Sequence, residues 1–198
     1  MLREVKRFLS AFLCLIWSWS LVGQDHIQFK SYTINDGLSQ SYVSCIVQDE
    51  LGALWIGTQD GINRFNGKNF DVFTADQEYD ISNEYILTAK KDDAGNLWFG
   101  TYDGLVRYNL STEKFSSFAP QIDHKLEVRA IEIDETGNVW IGTAFGYVYK
   151  FNYDSGEFQL IDKESFKTAI KAIKVDKEQV LDVSEYKGLF LANNDSSE

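Results

Sequence analysis

Tryptophan and aspartate recur at fixed intervals along this 198-residue chain, and both types could do chemistry. Trp55, Trp98 and Trp140 could stack on sugar rings; Asp49, Asp92, Asp134 and Asp176 could ligate calcium. Both ideas meet the same objection. A residue that returns at one position of every unit serves what every unit shares, so the tryptophans are assigned to packing between units. Calcium needs about six to eight oxygens converging on one point. One aspartate per unit, at equivalent and therefore separated positions, does not supply them, so these aspartates are assigned to turn capping.

Other chemistry is sparse. His26 and His124 are isolated, and no nucleophile motif of the G-x-S-x-G kind occurs. No catalytic residue, metal ligand or cofactor site is expected. Function should sit where the units differ, in the loops leading into each unit: NDGLSQSY (35–42), ADQEYDISNEY (75–85), APQIDHKLE (119–127) and DKESFKTA (162–169). Variable loops on a constant scaffold are where binding residues are usually found. Gln40, Tyr42, Asn83, Glu84, Tyr85 and Arg129 offer hydrogen-bonding and stacking groups suited to a neutral sugar, and form the expected ligand site.

The elements that must position these residues come from a repeat. DELGALWIGTQDGI (49–62), DDAGNLWFGTYDGL (92–105) and DETGNVWIGTAFGY (134–147) are one pattern written three times. Trp55 and Trp98 are 43 residues apart, Trp98 and Trp140 are 42. A worn copy follows at 176–189, with Asp182 in place of the tryptophan and Ser184 in place of the glycine. Each unit reads as four short strands: an apolar-rich run, LWIGT or its echo, INRF or its echo, and FDVF or its echo. Asp60-Gly61 and Asp103-Gly104 predict tight hairpins in which both central residues prefer positive φ. Strands such as LWIG are apolar on both faces and must be covered on both sides, as stacked propeller blades cover one another.

The expected fold is therefore all-β: β-propeller blades of four antiparallel strands, three complete and a partial fourth. The blades are placed at about 43–74, 86–118, 128–161 and 170–192, within a propeller region of residues 24–198. FKSY opens a further strand at 29–34, expected to complete another blade and remove two free edges. Seven blades at this period need roughly 290–300 residues, so the chain reads as part of a seven-bladed propeller, with a closed four-bladed ring as the alternative.

Residues 1–23 stand apart. Arg3, Lys6 and Arg7 precede the apolar run Phe8–Val22, and a small residue closes it: the order of a secretory signal peptide. That segment carries three basic residues and Glu4, so its removal moves the formal charge from -11 to -13. So acidic a surface repels phosphates and excludes nucleic acid as a partner. Cys45 then stands alone, in the apolar run VSCIV, where a buried cysteine acts as a small hydrophobe.

These residues resemble the two-component regulator propeller repeat. The resemblance rests on NDGLSQSYVSCIVQDELGALWIGTQDGINRFNG (35–67) and its echoes at 86–109 and 128–152, and it extends over about 29–192. It implies the non-catalytic, extracytoplasmic sensor region of a two-component receptor, periplasmic or in the cell envelope. An oligosaccharide or similar small molecule is the implied ligand. The implied partners are the downstream domains of the same receptor, with the membrane reached only through a span not in this chain. An envelope scaffold or protein-interaction propeller is the alternative, and a propeller enzyme trails both.

Overall fold

In the computed structural model, residues 28–75, 78–162, 168–176, 179–184 and 188–193 are described. The chain divides into Met1–Ser31 and Tyr32–Glu198. Of the first unit, residues 28–31 are described and carry no regular element. The signal-peptide segment lies outside the described residues.

The second unit is a run of antiparallel meanders. The first sheet is β1 (Val43–Gln48), β2 (Leu54–Thr58), β3 (Gly61–Phe65) and β4 (Phe70–Phe73). The second is β5 (Ile86–Lys91), β6 (Leu97–Thr101), β7 (Gly104–Asn109) and β8 (Lys114–Phe118). The third is β9 (Val128–Ile133), β10 (Val139–Thr143), β11 (Val148–Asn152) and β12 (Glu157–Asp162). The fourth has three strands, β13 (Ile170–Asp176), β14 (Gln179–Ser184) and β15 (Gly188–Asn193). The leading strands pack in series, β1 on β5, β5 on β9 and β9 on β13. This is the blade arrangement of a partial propeller.

Residues 28–33 carry no strand, and Ile34–Asp36 is a 3-10 turn capped by Thr33. The strand expected at 29–34 therefore does not form here. A strand needs a ladder, and no sheet among the described residues pairs with this segment. Tyr32 instead lays its ring 4.7 Å from Phe65, and Leu38 joins Ile56 and Phe65 in a small cluster on the first blade.

The aspartates and tryptophans of the repeat form one device. Asp49 Oδ1 accepts the N–H groups of Leu51 and Ala53, while Oδ2 accepts the Trp55 indole N–H at 2.8 Å. Asp92 takes Trp98, and Asp134 takes Trp140, each at 2.9 Å. The carboxylate thus closes its turn and fixes the indole plane. A cation lies over each ring: Arg64 at 5.6 Å from Trp55, Arg107 at 5.6 Å from Trp98, Lys150 at 5.1 Å from Trp140. The three indoles are at most 2% exposed. Trp55 packs on Leu97, Phe99 and Tyr108 of the second blade, and Trp98 on Val139, Ile141 and Phe151 of the third. They are inter-blade core, as the repeat implied.

The glycine of W-x-G-T answers a different demand. A Cβ on Gly57 would lie 2.6 Å from Ile86, and one on Gly100 2.6 Å from Val128. On Gly142 it would lie 2.6 Å from Ile170 Cβ. Each glycine is a notch that receives the first residue of the next blade. The threonine that follows is fully buried in the first two blades. Thr58 Oγ1 accepts the Asp60 N–H and donates to the Gly61 carbonyl, and Thr101 repeats both bonds. Gly61 and Gly104 have φ of 115° and 110°, but Asp60 and Asp103 do not have positive φ. The hairpins expected to have two central positive-φ residues are thus ordinary turns followed by a left-handed glycine, held by the threonine hydroxyl.

Candidate functional site

Every meander has two ends. The aspartate turns and the β3–β4 type connections lie at one. The lead-in loops and the two-residue hairpins after W-x-G-T lie at the other, and there the repeats stop agreeing.

The lead-in loops are tied both to the preceding blade and to their own. Gly61 N–H donates to the Glu84 carbonyl at 2.9 Å, and Gly104 N–H to that of Leu126 at 2.8 Å. Ser39 Oγ and Thr58 Oγ1 are 2.8 Å apart, and Ser82 and Thr101 repeat the contact at 3.3 Å. Loops anchored this way hold their side chains without much further ordering cost on binding.

On this base a chain of polar and aromatic groups crosses the first two blades. Gln40 Nε2 donates to Gln59 Oε1 at 3.4 Å, and Gln59 Nε2 donates to the Tyr85 hydroxyl at 2.8 Å. The Tyr85 ring lies 5.9 Å from that of Tyr102, and the Lys125 ammonium is 5.3 Å from the Tyr102 ring centre. Tyr42 and Tyr102 are 59% and 41% exposed. At the third blade, Arg129 pairs with the buried Glu127 carboxylate, and His124 stands 6.2 Å from Phe145.

Of the six residues expected from sequence, the structure brings Gln40 and Tyr85 into one chain, and Tyr42 binds it through its backbone N–H to Gln40 Oε1. Asn83 spends its carbonyl oxygen on the Tyr85 N–H at 2.9 Å. Glu84 contributes its backbone and leaves its carboxylate exposed. Arg129 belongs to a separate ion pair. Sequence reasoning missed Gln59, Tyr102, Lys125 and Glu127. The first two had a signal: they fill the variable position in T-Q-D-G, T-Y-D-G and T-A-F-G, within an otherwise constant motif. Among the described residues no group of histidine, cysteine and carboxylate side chains is placed to hold a metal ion. The Cys45 thiol is pushed up by burial, as fits a packing role.

Blades joined by in-register notches, and a motif that returns with each, define a β-propeller repeat protein. The pattern described as two component regulator propeller matches residues 37–60 and 80–103, within the first two of these blades. A histidine kinase P4 of Formosa agariphila is 52% identical over 50 residues, which covers 25% of this chain and 4% of that kinase. The extracellular domain of the putative hybrid two component system BT3049 from B. thetaiotaomicron aligns with a TM-score of 0.73 at 22% identity, over 84% of this chain and 25% of that one. That of BT4673 from the same organism aligns at 0.67 and 22% identity, over 88% and 22%. Virginiamycin B lyase from Staphylococcus aureus aligns at 0.58 and 10% identity, over 78% and 56%. At these identities the solved structures show a shared fold, and the chain spans 4% of the histidine kinase and about a quarter of the two extracellular domains.

Proposed function

We propose that this chain is a segment of the extracytoplasmic sensor propeller of a two-component receptor, without a catalytic role of its own. Its ligand is an oligosaccharide or a similar neutral molecule, bound at the lead-in end of the blades. The observation that carries this reading is the chain Gln40–Gln59–Tyr85–Tyr102. Its members are side chains that vary between units, on loops clamped to an invariant scaffold. Amides and tyrosines in a row present donors, acceptors and flat apolar faces, the mixture that sugar hydroxyls and ring C–H groups require. The regulator-propeller repeats and the histidine kinase relative support the receptor context.

The test is a signalling reporter in the complete receptor together with thermal melting. Tyr102→Ala and Gln59→Ala are expected to leave melting near that of the parent and to raise the ligand concentration giving half response by about tenfold, the effect of losing one well-placed contact. An unchanged dose response in both variants overturns the placement.

A further inference from the structure

At the opposite end of the blades, a cleft of about 220 Å³ opens between the second and third. That is room for about seven waters of liquid volume, or for one small ring compound. We infer that this cleft is a second binding site, for a single neutral polyhydroxylated ring such as a monosaccharide unit. The inference does not rest on the reading above, which concerns other residues at the other end.

The neighbouring junction is built differently. Between the first and second blades the Glu50 carboxyl closes over Gly95, 3.1 Å from where a Cβ would stand. The equivalent residue one blade on is Asp93, shorter by one methylene, and nothing lies within 4 Å of a Cβ on the equivalent Gly137. Leu51 is likewise replaced by Ala94. The shorter side chain at position 93 therefore leaves open a junction that Glu50 closes one blade earlier.

The lining is chemically specific. Arg107 lies with its guanidinium carbon 4.0 Å from the Tyr153 ring centre and 5.6 Å from that of Trp98. Among the described residues no hydrogen bond or ion pair holds that guanidinium, and its Nε is buried without a partner, as is the Nε of Arg64 at the closed junction. Its remaining N–H groups are unspent donors. Two acceptors share the lining with it: the Asn96 Oδ1, whose amide nitrogen is already given to Asp92 at 2.9 Å, and the exposed Asp154 carboxylate. Tyr153 is 43% exposed and adds an apolar ring. An anion would satisfy Arg107 but meet Asp92 and Asp154, and a cation would meet the fixed charge of Arg107. A hydroxyl both donates and accepts, and a ring bearing several satisfies both sets at once.

The experiment uses the full chain and follows the indole N–H resonances, since that of Trp98 is donated to Asp92 on the cleft wall. Titration with glucose, galactose and xylose is expected to shift the Trp98 signal saturably with a millimolar midpoint, and to leave that of Trp55 in place. Asp93→Glu copies the closed junction at an exposed position, and is expected to raise the midpoint by at least about tenfold. Three results overturn the inference: no saturable shift with any of the three sugars, an unchanged midpoint in Asp93→Glu, or a shift produced by glycine or inorganic phosphate and not by the sugars.

Discussion

The Asp134 carboxylate shows how much a repeated turn residue does. Burial pushes its pKa up, but hydrogen bonds from Thr136, Trp140 and Asn138 outweigh this and hold it at about 2, below its ordinary 3.8. A carboxyl with a depressed folded pKa stabilises the fold fully above its unfolded value, and that contribution is lost as pH falls through the folded value. Stability supplied by Asp134 is therefore complete above about pH 4 and disappears on the way down to about pH 2. Urea unfolding across that window is expected to show the decline, and Asp134→Asn a shallower one. Equal slopes would mean that the carboxylate is not the titrating group. At this scale the sequence was readable in part. One aspartate per turn implied capping, but the indole bond needs the path of the following strand to be known. The six positions between Asp134 and Trp140 only then become a distance.

At the scale of the strand, the blades were legible because period-two runs, turn residues and spacing repeat in phase. Neither the hairpin type nor the first strand was. Asp-Gly pairs suggest two left-handed residues, yet Thr58 and Thr101 sit one position earlier and their hydroxyls favour another turn. The run at 29–34 has strand composition, but a strand is made by its neighbour. The glycine of W-x-G-T looks in sequence like a flexible point and is in fact a matter of space. Gly100→Ala places a methyl 2.6 Å from Val128 and 2.9 Å from a backbone oxygen. It should cost about 1–3 kcal/mol in chemical denaturation, the usual penalty of overpacking. Adding Val128→Ala should recover part of that loss, since neighbours in contact are not additive. Full additivity of the two changes would separate the notch from the residue said to fill it.

For the blade array as a whole, the first blade presents a face whose counterparts are covered at the later junctions. Ile131 and Ile173 are 8% and 6% exposed between blades, whereas Ile46, their counterpart on the first blade, is 60% exposed. Among the described residues no comparable packing joins β13 back to β1. Exposed apolar sheet favours association, so the chain in solution should sediment as more than a monomer, and Ile46→Lys should shift it towards monomer. A parent chain that is monomeric at micromolar concentration would show that this face needs no cover. The junctions also give the array a direction. Ile86, Val128 and Ile170, each fully or almost fully buried, are plugs facing one way, and the glycines are sockets facing the other. Val43, the plug of the first blade, is 40% exposed. Stacking is thus polar in the way a screw thread is. A blade bearing a glycine socket can be joined ahead of Val43 with the same fit, so shuffling these units by recombination is tolerated wherever a glycine socket meets a β-branched plug.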